Sequence, residues 1–393
     1  MVKTNGDRAR NNRIDRKEAN FAMYATFMSV VTAVVGSVTL FSSAVMDIAF
    51  DTGMAGTILI YVLPLAMTLY TILVMIAAHL YHKRSMLPFY LAATVWLGCF
   101  TYMFVFSVLV IIPTILLRTG LIPGSSLLES SIRVILIAGP ILLVTAGVVN
   151  ARYLRIRRVR IPMKGLKKEV RIGFFSDLHL GLLIGRRRLG RVIDALKRSG
   201  PDIIVIGGDL FDTEPGNIID MLPRLSEFGE IAPAYAVNGN HEYFNDLDAC
   251  DKAIREAGIR LLRNEKARDR RTGLEIFGVD DPAGYQQYGE EMADIDRVMG
   301  NHVKPASIMI SHQPIDFPRI SGKGAGLMLS GHTHGGQIEP FGIFTRLIFR
   351  DGDRGLRTRG DSHLFVSTGA GTWGPPMRVG TSPEIVIIDL IPG

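Results

Sequence analysis

Along the first 150 residues apolar positions run on with few breaks, whereas after Lys164 they fall into short blocks separated by charged and Gly-rich stretches. Four long runs stand out: Phe21–Met46, Met54–Ala78, Leu87–Ile112 and Val134–Ala151. Each is close to the roughly 20 residues that an α-helix needs to cross about 30 Å of hydrocarbon. The pattern therefore predicts an all-α transmembrane domain of about four helices. The first run is too long for a secretory signal, lacks a clear small-residue cleavage site and is followed by three more, so it is read as a retained helix. Pro64 and Pro140 interrupt two runs, which membrane helices tolerate when neighbours satisfy the freed carbonyls. No charged residue lies deep in any run, which argues against a transporter or proton pathway.

The later blocks read differently. Val170–Phe175, Ile203–Ile206, Ala234–Val237, Ser307–Ile310 and Gly326–Leu329 are short enough for buried strands, and Asn245–Ala257 reads as an outer helix of a soluble α/β domain. With 393 residues the chain is long for one domain. The expected division is a transmembrane domain with basic flanks over 1–163 and a catalytic domain over 164–393.

Charge sharpens the membrane reading. The net charge of +7 could signal nucleic acid, but the basic residues gather beside the apolar runs, so the lipid bilayer is the expected partner and no nucleic acid is expected. Lys3, Arg8, Arg10, Arg13, Arg16 and Lys17 precede the first run; Lys83 and Arg84 follow the second; Arg152, Arg155, Arg157, Arg158 and Arg160 follow the fourth. The loops between carry Asp47 and Asp51, or only Arg118 and Arg133. This asymmetry predicts a multi-pass cell-membrane protein with both termini, and the catalytic domain, on the cytoplasmic side. The last basic stretch reads first as a stop-transfer flank. Cys99 and Cys250 imply no disulfide framework.

The candidate chemistry sits where the strand blocks end. The first ends in Ser176-Asp177-Leu178-His179, placing a carboxylate and an imidazole two residues apart, on one side of an extended chain. The second ends in Gly207-Gly208-Asp209, the third in Gly239-Asn240-His241-Glu242, the fourth in Ser311-His312 and the fifth in Gly331-His332-Thr333-His334. For any one histidine a packed loop residue is the commoner reading. Five strands that each finish in an oxygen or imidazole donor converge at one edge of a sheet, where α/β folds place their sites, and predict a metal centre.

In this order, D-x-H, GD, GNH, H and GHxH, the sequence resembles the calcineurin-like metallophosphoesterase family, from about Arg171 to the end. The resemblance implies an αββα sandwich with two divalent metal ions. Asp177, His179 and His334 would hold the first, Asp209 would bridge, and Asn240, His312 and His332 would hold the second, with His241 as general acid. The stretch Gly369–Gly380, containing Thr372-Trp373-Gly374-Pro375-Pro376, looks like that of bacterial membrane-associated phosphoesterases.

Phosphate esters resist hydrolysis because an anionic centre repels nucleophiles and the alkoxide leaves poorly; two cations about 3.5–4 Å apart answer both difficulties. Mixed oxygen and nitrogen donors suit Mn, Fe or Zn better than Ca. Asp212 is expected either to orient a ligand histidine or to cap a turn. His302 and His363 are read as surface or structural, and Trp373 as a packing anchor or a wall of the pocket mouth. The expected function is hydrolysis of phosphodiester or pyrophosphate bonds, with location favouring a lipid-linked substrate. Soluble phosphate esters are the alternative within the enzyme class, and a membrane sensor or a scaffold on the same fold the alternative outside it.

Overall fold

The computed structural model describes residue 29 and residues 32–81, 83–213, 215–288, 294–301 and 303–393. The start of the first expected helix from Phe21, the basic residues from Lys3 to Lys17 and His302 lie outside the described residues. Packing divides the chain into two units, one holding residues up to Leu80 and Ala92–Val144, the other Tyr81–Leu91 and Thr145–Gly393.

Among the described residues four helices are long and apolar enough to cross a membrane: α1 (Thr32–Phe50), α2 (Gly53–Tyr81), α3 (Leu87–Arg118) and α4 (Ser126–Arg152). Pro64, Pro113 and Pro140 lie inside the last three. Val45 and Ala49 of α1 pack with Val110 of α3 and with Ile132 and Leu136 of α4. Small hydroxyls supply polar contacts: Thr39 and Thr68 lie 3.2 Å apart, and Ser43 donates to the Ile60 carbonyl. The fourth helix begins eight residues earlier than the apolar run, taking in Glu129 and Arg133, which pair one turn apart at 3.3 Å.

The second unit is built on two six-stranded sheets. The first sheet contains β1 (Arg155–Met163), β2 (Val170–Phe175), β3 (Ile203–Ile206), β4 (Ala234–Ala236), β5 (Arg260–Leu261) and β12 (Glu384–Pro392), in the order β1-β12-β2-β3-β4-β5. The second contains β6 (Glu265–Arg268), β7 (Glu275–Gly278), β8 (Ser307–Ile310), β9 (Leu327–Ser330), β10 (Gly355–Arg359) and β11 (Ser362–Val366), in the order β10-β11-β9-β8-β7-β6.

Strand alternation explains why the central strands read as unbroken apolar runs. Ile172, Phe174, Ile203 and Val205 of the first sheet meet Ile308, Ile310, Leu327 and Leu329 of the second in one buried layer. The intervening Phe175, Ile204 and Ile206 face outward against Leu189, Val192 and Leu196 of α5 (Arg186–Ser199). On the far side Met309 and Met328 pack with Val298, Met299 and Ile320. Strands covered on both faces need apolar side chains at every position, and the result is the expected αββα sandwich. Burial of each large side chain stabilises by about 1.5–3 kcal/mol, enough to hold strands of four residues.

The segment read from sequence as a basic flank is the strand β1. Arg158, Arg160 and Pro162 alternate with Val159, Ile161 and Met163, which enter the layer between the sheets. It runs parallel to β12, pairing from Arg155 with Glu384 to Met163 with Pro392. A fragment that begins at Lys164 should therefore lose two fully buried side chains and expose the edge of β12. Relative to a fragment beginning at Tyr153, it should unfold with about 3 kcal/mol less stability, measured by denaturant melts followed by circular dichroism. Equal midpoints would contradict this role for β1.

Candidate metal centre

Five parallel strands of the two sheets, β2, β3, β4, β8 and β9, end at the same edge, and the polar residues following each meet there. The turns are tight. Asp177, His179, Asp209, His332 and His334 all have φ between 50° and 69°. Non-glycine residues seldom adopt this left-handed region, and such strain is held in place only by surrounding structure. Glycines make the close approach possible: a Cβ at Gly239 would lie 2.2 Å from Asp209 Oδ1, and one at Gly331 2.3 Å from Asp177 Oδ2.

The donors form two groups. In the first, Asp177, His179 and His334 converge. His179 Nε2 and His334 Nε2 face each other at 3.2 Å, and His334 Nε2 lies 3.6 Å from Asp177 Oδ1. In the second, Asp209, His312 and His332 converge. His312 Nε2 lies 3.2 Å from both Asp209 Oδ2 and Asn240 Oδ1, and His332 Nδ1 lies 2.9 Å from the same amide oxygen. Asp209 Oδ2 is also 3.8 Å from His179 Nε2, so this carboxylate stands between the groups. All seven sequence-predicted ligands are thus brought together. The extended-chain argument holds for Asp177 and His179 only in outcome, since both sit in left-handed turns; His332 and His334, with the same spacing, turn to different groups.

These residues fit divalent cations on the chemistry of the donor set. Opposed imidazole nitrogens and buried carboxylates in contact need a shared cation or proton between them. Nδ1 of His312 faces the Gly207 carbonyl at 2.7 Å, an acceptor only, so Nδ1 donates and Nε2 is the atom offered to the centre. Asp177 accepts from the His332 backbone amide at 3.0 Å and from the Ser176 hydroxyl, and Asp209 Oδ1 accepts from the His241 amide at 2.9 Å. Burial pushes the Asp177 carboxyl up. For Asp209 burial is outweighed by His312 and His241, which hold its carboxyl well below the usual range. Burial and the neighbouring His312 push His332 down to about 3, and burial with Arg378 holds His334 well below the ordinary histidine value, so both rings favour the neutral form that ligation requires.

His241 stands apart as a half-buried ring at the edge of the centre. Its Nδ1 lies 3.0 Å from Asp212 Oδ1. Burial works against its charge, but Asp209 and then Asp212 raise its pKa to about 9. Asp212 therefore faces His241 within hydrogen-bond reach, with His179 Nδ1 farther away at 3.6 Å. Trp373 is 54% exposed with its ring 6.1 Å from that of His241, so it walls the mouth. His363 lies on β11 with Nδ1 3.0 Å from the Thr358 hydroxyl, consistent with a structural role.

Two supporting residues were not singled out from sequence. Glu242 accepts from the backbone amides of Asp209, Phe211 and Gly239, tying the turn after β3 to the turn after β4. A Glu three residues after Gly239 carried the signal of half a capping box, its carboxylate accepting from the Gly239 amide while glycine has no side chain to reciprocate. Arg378, fully buried, donates through Nη2 to His334 Nδ1 at 2.9 Å and through Nη1 to the His334 carbonyl at 3.1 Å. Nothing local marks it, because its partner lies 44 positions away.

A profile of the calcineurin-like phosphoesterase family matches residues 170–336. The chain is 34% identical to an uncharacterized metallophosphoesterase of Campylobacter jejuni, over 65% of this chain and 68% of that protein. It is 35% identical to an uncharacterized metallophosphoesterase of Aquifex aeolicus, over 61% of this chain and 92% of that one. The chain belongs to the calcineurin-like metallophosphoesterase family. A transmembrane protein with metallophosphoesterase domain from Danio rerio is 30% identical over 62% of this chain, a match that spans 59% of the relative's length. As a metallophosphoesterase with an N-terminal region of four long apolar helices, the chain has a fold that binds divalent metals and the Asp and His clusters to do so.

In the metal-free protein the His241 ring should titrate near 9, well above the 6.5 of an ordinary histidine, when followed by NMR of ring-labelled histidine. Asp212→Asn should bring it down. A ring that titrates at or below 6.5 in the unsubstituted protein would show that the carboxylates do not outweigh burial.

Proposed function

We propose that this metallophosphoesterase is a membrane-anchored hydrolase that uses two divalent metal ions, Mn, Fe or Zn, to cleave phosphodiester or pyrophosphate bonds, and that its substrate is lipid-linked. The observation that carries the reading is the pair of donor groups that share Asp209, with a protonated histidine beside them. Asp177, His179 and His334 would hold one ion, Asn240, His312 and His332 the other. Bound there, the ions would supply charge neutralisation of the phosphate oxygens and a nucleophile from water at neutral pH.

The chain's own groups account for the rest. His241 Nδ1 is engaged by Asp212, which leaves Nε2–H free to donate. As hydroxide, formed from water with its proton released to solvent, adds to phosphorus and the bond to the leaving oxygen breaks, that oxygen takes the Nε2 proton, and the neutral imidazole is reprotonated from solvent. A pKa near 9 keeps the proton available at neutral pH. Glu242 holds the two turns that carry Asp209 and Asn240 in register, so that the leaving group and the donor stay aligned. The charge asymmetry around the apolar runs supports a catalytic domain at the cytoplasmic face.

Hydrolysis of bis-p-nitrophenyl phosphate and p-nitrophenyl phosphate, with Mn, Zn or Fe added, tests the reading. The diester should be turned over faster than the monoester. His241→Ala should lower kcat by about 10²–10⁴-fold with metal content retained. Faster monoester turnover would move the assignment to a phosphatase. Metal-replete protein with no turnover of either ester would move it to a scaffold.

A further inference from the structure

The surface beside the metal centre is more apolar than a water-facing rim needs to be. Phe341 and the helix Gly342–Ile348 present Phe341, Ile343, Phe344, Leu347 and Ile348 at 45–70% exposure, and among the described residues nothing covers them. The same segment exposes Arg346 and Arg350. It also leads into the site: the ring of Phe349, the residue after the helix, lies 5.6 Å from that of His332. Across the centre, Phe244 and Trp373 are each 54% exposed, with rings 5.7 and 6.1 Å from that of His241.

We propose that Phe341–Arg350 is a membrane-docking element, which seats in the headgroup and upper acyl region of an anionic bilayer and leads a lipid-borne phosphate ester past Phe349 to the metal centre. The docking stands on the exposed segment itself; the delivery rests on the phosphoesterase reading above. A short helix with large apolar side chains and a few basic residues is suited to lie in the membrane interface, with apolar groups at the acyl boundary and guanidinium groups among anionic phosphates. The occupant is a bilayer because, among the described residues, four helices of the same chain are long and apolar enough to span one. The arginines complement anionic headgroups; Arg346 meets Glu339 only loosely, at 3.6 Å. Aromatic walls on both sides of the centre suit the apolar stem of a lipid ester as it enters.

The docking test needs neither metal nor turnover. The chain's two tryptophans, Trp96 and Trp373, are replaced by Phe, and Phe344→Trp is introduced as the reporter in the full chain. The protein is reconstituted in vesicles of phosphatidylcholine and phosphatidylglycerol with or without bromine on the upper acyl chain. At interfacial depth the reporter should lose about half of its emission or more to the brominated lipid. Arg271→Trp, in the turn between β6 and β7 at the opposite end of the strands, serves as the comparison and should lose little. Equal quenching at the two positions would overturn the docking. So would a reporter that responds to protein concentration and not to bromine, which would mean that a second copy covers the face.

Delivery is tested in the same vesicles with hexadecyl p-nitrophenyl phosphate against bis-p-nitrophenyl phosphate, two diesters with one chromophore. The combined Phe344→Ser, Leu347→Ser and Ile348→Ser variant should lower the ratio of long-chain to soluble turnover by about tenfold. An unchanged ratio would overturn delivery. Turnover of neither diester by the unsubstituted chain would overturn the enzyme reading and delivery together, while the quenching result would still decide the docking.

Discussion

Seven nitrogen and oxygen donors crowd the edge where the two sheets end, five of them buried, and a desolvated cluster of carboxylates and imidazoles is costly unless charge is balanced within it. The surrounding structure answers that requirement. Its central strands are short and mostly apolar, and each ends two to four positions before its first donor. Its turns take left-handed conformations that glycine neighbours permit by standing aside. Its supporting hydrogen bonds, from Glu242 to three backbone amides and from Arg378 to both ends of His334, join turns that are distant in sequence. Asp209 is the pivot, since one carboxylate oxygen faces a histidine in each donor group.

Much of this was legible along the chain. The strands β2, β3 and β8 begin and end where the apolar blocks do, because strands buried on both faces carry mostly apolar side chains, Arg171 and Ser307 apart. The donors were legible because each lies within a few positions after such a block. The edge strand β1 was not, since arginine fills its solvent-facing positions and basic residues after an apolar helix carry a stronger membrane signal than a strand signal. Arg378 and the register of β12 against β1 depend on contacts across the fold, which no local pattern contains. His332 and His334 turn to different groups although Asp177 and His179, with the same spacing and the same sign of φ, converge on one, a departure from the extended spacing rule that sequence does not announce.

Chemistry and location are set by different halves of the chain and meet in the reading offered for it. The donor edge supplies a site for cations and an oriented proton donor, while the apolar helices and the exposed Gly342–Ile348 helix supply a reason for that site to work at a lipid surface. Among the described residues the helical unit is joined by hydroxyl bonds such as Thr39 with Thr68 and Ser43 with the Ile60 carbonyl, and by Arg118, which donates to Asp51 and to the Ile48 carbonyl.

The metal content of the full chain, purified without added chelator and measured by inductively coupled plasma mass spectrometry, tests the central claim most directly. The account predicts about two divalent transition-metal ions per chain, with Asp209→Asn reducing occupancy at both positions because its carboxylate faces both donor groups. A single ion per chain that Asp209→Asn leaves in place, or no ion bound after incubation with Mn, Zn and Fe, would contradict it.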